Sequence, residues 1–418
     1  MKGAGRRAFV ILFAVNAIAA AGSTALMSVL PAIGREFGLS DTLISAAFSL
    51  SALLWALSAP YWARLSDTRG RKTMILLGLM GFSVSMAAFG LTVTGGLLGL
   101  LPVALIFSLM VISRSIHGAL GSASPTASQA YVADRTTVKQ RTKALSVLAS
   151  AQGLGTVLGP ALAPFFVLPL LGLAGPMYAF AAMGLIVWFA TWRGLPSGGV
   201  RRKPAGVRTH SKGLWKQPRM RAFVIYGFLA ISIQAVNVSV LGFHVIDVMG
   251  LPPLEAQTFV SVAMLAGAAA TLMAQWGLIP LLHMGPTSLM RWGAGLTIAG
   301  NVLTLMSPTY YGVVVGYAVV SLGVGFARPG FMAGASIAVG PHEQGAVAGL
   351  MAALAGLCFL APPVIGVALY EAWDPAPFIA NTLMGAAILL MALFTTTLKR
   401  AGQAPAPQTP PAGPQPLS

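Results

Sequence analysis

Arg64-Leu-Ser-Asp-Thr-Arg-Gly-Arg-Lys72 (RLSDTRGRK) sets five charges within nine residues of a chain that is 56% hydrophobic and only 8% charged. Long apolar runs flank it, one closing near residue 63 and the next opening at 73. Comparable runs recur along all 418 residues, each long enough to cross a ~30 Å hydrocarbon core as a helix. With nine acids and 26 basic residues, the chain lacks the charge to cover a soluble protein of this length. A membrane β-barrel would show ~10-residue alternating segments, and none is present. The sequence therefore specifies an all-α polytopic membrane protein, and the charged nonapeptide is a loop between two of its helices.

Apolar length places twelve spans, at 8–30, 43–63, 73–93, 101–131, 144–168, 175–193, 222–248, 257–279, 288–306, 311–338, 346–370 and 376–397. The loops then alternate between two sides, and the basic residues do not divide evenly. One side takes Lys2, Arg6, Arg7, the Arg64–Lys72 hairpin, 135–143, 194–221, Arg291, Lys399 and Arg400; Arg35 alone lies on the other. Basic residues are retained on the cytoplasmic side, which predicts both termini in the cytoplasm of a bacterial cell with the chain in its inner membrane. The net charge of +17 thus records topology and contact with anionic headgroups, and implies no nucleic-acid partner. The single cysteine, Cys358, excludes an intramolecular disulfide and a cysteine metal site. The N-terminal MKGAGRR followed by apolar residues resembles a signal peptide, but the run continues through Leu26 to Pro31 and fits a retained first helix better.

Six spans, a break and six spans give the organisation: a bundle over 1–193, a basic linker over 194–221, a second bundle over 222–400 and a tail over 401–418. The linker is rich in Gly, Pro and cations, and the tail in Pro, compositions that predict a flexible connector and a disordered end. The two halves look duplicated and pseudo-symmetric. Pro125 precedes Arg141 by sixteen residues in the fourth-to-fifth turn, and Pro329 precedes Gly345 by sixteen in the tenth-to-eleventh. Duplicated bundles can rock about a central site.

The nonapeptide now acquires a likeness. Leu65, Asp67, Gly70, Arg71 and Lys72 resemble the signature loop of the major facilitator superfamily, Gly-x-Leu-Ala-Asp-Arg-x-Gly-Arg-Lys/Arg; Ala63 and Ser66 depart conservatively and Arg69 is displaced by one. Gly70 permits a tight reversal. Asp67 suits pairing with a neighbouring arginine or with the positive end of a helix from the other half, a latch made in one conformational state and broken in another. Arg114 to Gly121 (RSIHGALG) resembles the family's Arg-x-x-Gln-Gly-x-Gly, with His117 in place of Gln. Gly155 to Pro164 (GTVLGPALAP) resembles its antiporter motif Gly-x-x-x-Gly-Pro-x-x-Gly-Gly, with Ala163 and Pro164 at the closing glycines. Gly155 and Gly159 allow close helix approach and Pro160 a bend. The resemblance implies a twelve-helix transporter working by alternating access, most similar to the drug:proton antiporter branch, around a cavity lined by spans one, four, seven and ten.

Ionisable side chains inside a bilayer cost several kcal/mol and are candidates for function. Arg114 and Arg328 lie deep in spans four and ten, and His117 follows Arg114 by three residues. Gln234, Asn237, His244 and Asp247 fall within a ~140° arc of span seven at ~100° per residue. Asn16 offers a further cavity face on span one, where no acid occurs. Proton-coupling candidates are His117 and a His244–Asp247 pair. Two deep arginines, with Asp247 the only acid near the interior, favour an anionic or zwitterionic substrate such as a carboxylate siderophore over a lipophilic cation. The expected activity is proton-coupled export; a proton-coupled importer or facilitator of organic anions is the alternative within transport, and a membrane sensor or scaffold the alternative outside it. The absence of a GxxxxGK phosphate loop, a HExxH pair and a GxSxG elbow argues against an ATPase or hydrolase. No metal or organic cofactor is implied, energy must come from an ion gradient, and a monomer is expected.

Overall fold

The computed structural model describes residues 3–136, 138–167, 171–196, 213–339, 343–399 and 401. The central part of the basic linker, 197–212, and the tail beyond 401 lie outside the described residues. The first half holds α1 (Gly3–Glu36), α2 (Asp41–Arg69), α3 (Arg71–Leu97), α4 (Val103–Gly121), α5 (Ala123–Arg135), α6 (Val138–Leu162) and α7 (Gly175–Gly194). The second holds α8 (Pro218–Met249), α9 (Pro253–Leu272), α10 (Ile279–Leu282), α11 (Pro286–Met306), α12 (Tyr310–Ile337), α13 (Gln344–Cys358), α14 (Pro362–Ala372), α15 (Ala376–Phe394) and α16 (Thr396–Lys399). Among the described residues there is no strand, as a bilayer-spanning chain that must satisfy its own backbone requires.

Among the described residues, ten stretches are long and apolar enough to cross a membrane, with α4–α5 forming one of them and α9–α10 another. α6 and α11, of 25 and 21 residues, are also of crossing length but more polar: the sequence of α6 opens with Lys139, Arg141 and Lys143, and α11 carries Arg291 and Asn301. They complete six long helical stretches on each side of the linker. Pro31, Pro60, Pro160 and Pro329 all lie inside helices. The repeat is inexact at its prolines: Pro329 sits within unbroken α12, whereas Pro125 follows a break at Ser122 between α4 and α5. Gly70 at φ 94° makes the reversal from α2 to α3, a backbone region closed to most side chains.

The distribution of the core defines the state. At the end remote from the basic loops, one cluster of buried side chains unites both halves, running from Val29 and Ile33 of α1 and Ile44 of α2 to Val245 and Ile246 of α8 and Val260 of α9. At the basic end the core is divided. Leu12, Met74, Ile75, Tyr131 and Val187 form one cluster in the first half; Met220, Phe223, Phe331, Met351 and Leu354 form another in the second. The halves are joined at one end and separately packed at the other. Some polar links at the basic end are therefore local decoration: Arg219 donates to both Glu343 carboxylate oxygens at 2.8 and 2.9 Å with both side chains partly exposed. Arg219→Ala is expected to change stability by only about 0.5 kcal/mol, a shift small enough to leave the detergent melting temperature almost unmoved.

Candidate functional site

The charged hairpin folds as a network centred on Arg71. Its guanidinium pairs with Asp67, donates to Ser66 Oγ and reaches Asp134 at the end of α5 at 3.1 Å. Lys72 Nζ donates to the Trp192 carbonyl at the end of α7 at 2.7 Å. Of the two pairings open to Asp67 on sequence grounds, the structure adopts the neighbouring arginine, and the Asp67 side chain remains 60% exposed. Among the described residues, these bonds from Asp67, Arg71 and Lys72 all run within the first half, as suits a state whose halves are parted at this end.

Arg114 lies near the centre of the α4–α5 stretch and is 4% exposed. Its guanidinium carbon sits 4.5 Å from the centre of the Phe48 ring, and Nε and Nη1 have no hydrogen-bond partner. The main chain is held independently, since Ser51 Oγ of α2 donates to the Arg114 carbonyl at 2.8 Å. One turn on, His117 is wedged between Trp55 and Phe82, with ring centres 5.3 and 5.8 Å away. Its Nε2 shares a 3.1 Å hydrogen bond with Ser23 Oγ of α1, and Nδ1 is buried without a partner. Gly118 makes this possible, because a Cβ there would strike the Ser51 carbonyl oxygen and hold α2 away from α4. A lone guanidinium stacked on a ring beside a partly unsatisfied imidazole can receive an anion or a hydrogen-bond acceptor.

Other candidates separate. Asn16 is buried and donates to its own helix at the Leu12 carbonyl, 2.8 Å; Asn237 does the same to Ile233 at 2.9 Å. Gln234 is half-buried. Arg328, with Met332 a turn beyond it, is exposed on α12 and makes no hydrogen bond or ion pair among the described residues. Gly155 and Gly159 face α1 of their own half: a Cβ at either would collide with the carbonyl oxygens of Ala17 and Ala21 respectively. α6 beyond Pro160 continues to Leu162 and tightens into a 3₁₀ turn over Ala163–Phe166.

His244 and Asp247 do not bond directly; Tyr370 of α14 stands between them. The Tyr370 hydroxyl donates to Asp247 Oδ2 at 2.6 Å and lies 3.5 Å from His244 Nδ1. The His244 ring packs on Phe378 at 4.8 Å. Asp247 is instead held by Arg35, 212 residues away in sequence, which also binds Asp41 Oδ2 at 2.8 Å. Arg35 was visible in the sequence only as the one cation on the side without other basic loops, and no helical period names its partner.

Half-cores packed separately at one end and joined at the other, where Arg35 bridges to Asp247, are an arrangement suited to a membrane transporter. Residues 12–357 match the Major Facilitator Superfamily, and the chain belongs to that family, whose fold is that of transporters. Multidrug resistance protein 1 of Bacillus subtilis (strain 168) is 25% identical over 378 residues, 88% of this chain and 90% of that protein. Multidrug resistance protein 2 of the same organism is 32% identical over 181 residues, 43% of this chain and 41% of that relative's length. In fold, the chain is similar to a bacterial homologue of the human lysosomal transporter Spinster in an inward-facing, unoccupied conformation, with TM-score 0.70, 15% identity and 96% of each chain covered.

Proposed function

We propose that the protein is a proton-coupled antiporter of the bacterial inner membrane that exports a small anionic or zwitterionic organic molecule by alternating access. The basic end is read as cytoplasmic, so the state seen opens inward. The observation that carries the substrate class is Arg114, a buried cation in an apolar helix with no carboxylate partner among the described residues; Arg328, exposed on α12, is a second cation without such a partner. A buried guanidinium is costly unless an anion completes it, and a carboxylate-bearing substrate would do so. A lipophilic cation would meet repulsion instead. The chain carries no phosphate-binding loop, so the driving force assigned to it is a proton gradient rather than nucleotide hydrolysis.

The names of the two relatives favour a second reading, export of drugs of mixed charge. Accumulation in inside-out vesicles, with matched carboxylate and quaternary-ammonium compounds, separates the two. The proposal expects the carboxylates to accumulate and Arg328→Ala to weaken them by about tenfold, the worth of one charge-assisted contact. Preference for the cations, surviving the substitution, would establish the drug reading. Accumulation of carboxylates only in right-side-out vesicles would make the protein an importer.

A further inference from the structure

The C-terminal end of α7, at the basic end of the first half, gathers cations from three helices. Arg193 stands on its last turn, with the guanidinium carbon 5.6 Å from the centre of the Phe189 ring and 5.7 Å from that of Trp192. Arg7 of α1 lies across Gly194, where a Cβ would stand 3.3 Å from Arg7 Nε and 3.5 Å from Nη2. Lys72 of α3 gives the Trp192 carbonyl one of its three N–H donors. Asp67 and Asp134, the aspartates at this end of the half, are both bound by Arg71. Among the described residues, Arg7 and Arg193 make no hydrogen bond or ion pair.

An apolar track leads away from these cations along α7. Ala182, Leu185, Ile186 and Phe189 are exposed, and at ~100° per residue they share the face that carries Arg193. From Ala182 to Arg193 the track covers about 16 Å at ~1.5 Å per residue, roughly half of a ~30 Å hydrocarbon core. It is therefore one leaflet deep, with arginine at its headgroup end. Trp188 and Trp192 stack there with ring centres 6.4 Å apart, the depth at which tryptophan rings gather. We propose that this face is a binding site for a single anionic phospholipid of the cytoplasmic leaflet. Its phosphate is held between Arg193, Arg7 and Lys72, and one acyl chain lies along Ile186 and Phe189. Diffuse attraction to an anionic surface needs cations anywhere on that surface. Here donors from three helices converge, as charge-assisted binding of one phosphate requires, and the local carboxylates are already engaged. A zwitterionic headgroup would bring its own cation into the cluster and bind less well.

The site depends on the chain's place in the membrane and not on what it transports, so its test needs neither substrate nor gradient. Native mass spectrometry of the full chain in detergent, titrated with phosphatidylglycerol or with phosphatidylcholine, counts the lipids retained and gives an apparent Kd for each. One phosphatidylglycerol is expected to bind about tenfold more tightly than phosphatidylcholine. Arg193→Gln should weaken phosphatidylglycerol about fivefold, and Arg7→Gln, the second variant should the first not fold, by as much. Phe189→Ala should weaken both lipids alike, because it touches the acyl chain. Arg69→Gln removes an exposed cation of the neighbouring hairpin and should bind as the wild type does. Inorganic phosphate at millimolar concentration should not displace the lipid. Equal affinity for the two lipids, a loss in Arg69→Gln as large as in Arg193→Gln, or displacement by phosphate alone would overturn the proposal.

Discussion

Arg114→Ala is expected to lower transport about a hundredfold while leaving the protein at least as stable as before. The two halves of that result have different causes. Hydrogen bonds to a charged group are worth up to ~3 kcal/mol each, and 1.4 kcal/mol is tenfold, so losing the anion contact reaches that size. Stability moves the other way. The side chain is 4% exposed, with Nε and Nη1 unpartnered, and an uncompensated buried charge destabilises the fold that holds it. Alanine removes that penalty and forfeits a stacking contact on Phe48 worth about 1 kcal/mol. The helix itself stays anchored through the Ser51 bond to the Arg114 carbonyl. Arg114→Lys keeps the charge but not the planar stacking group, and should retain part of the activity. Transport rates measured beside melting temperatures check the split; a large fall in melting temperature in Arg114→Ala would assign the arginine to structure.

Gly159→Leu should have the largest effect on folding. α1 and α6 approach so closely that a Cβ at this position would overlap the Ala21 carbonyl oxygen and Thr24 Oγ1. Thr24 cannot swing clear without giving up its bond to the Ala20 carbonyl at 3.0 Å. Overpacking of this kind costs about 3 kcal/mol, which corresponds to a fall of roughly 10 °C in melting temperature. Gly153 on the same helix has open space where its Cβ would stand. Gly153→Leu is therefore the control, expected to melt with the wild type. Equal losses from both substitutions would show that helix propensity, not contact with α1, sets the effect.

The sequence was most readable where physics acts locally. Span length, the basic hairpin and the asymmetry of cations follow from what a bilayer tolerates, and they carry to helices α2 and α3 joined at Gly70 as expected. Pairing across the fold was less readable. The Gly155–Gly159 spacing announces a close approach, but the surface approached is α1 of the same half. The span-seven stripe places His244 and Asp247 on one side, yet two of its members turn inward to their own backbone or pack on aromatic rings, and Asp247 meets Arg35. Helical periodicity fixes the face a residue occupies and carries no information on which helix stands opposite. Arg328 and Arg114 looked alike as deep arginines; the structure distinguishes them, one exposed and free, the other buried and stacked.

The most direct measurement uses the purified protein in proteoliposomes under an imposed pH difference, with an internal pH dye reporting proton movement as carboxylate-bearing compounds, lipophilic cations and neutral compounds are added in turn. Coupled antiport of anions predicts dye responses to the carboxylates that run opposite to the substrate, vanish when the pH difference is collapsed, and are lost in Arg114→Ala. Substrate movement with no accompanying proton flux, or proton flux triggered equally by cations in the wild type and in Arg114→Ala, would contradict it.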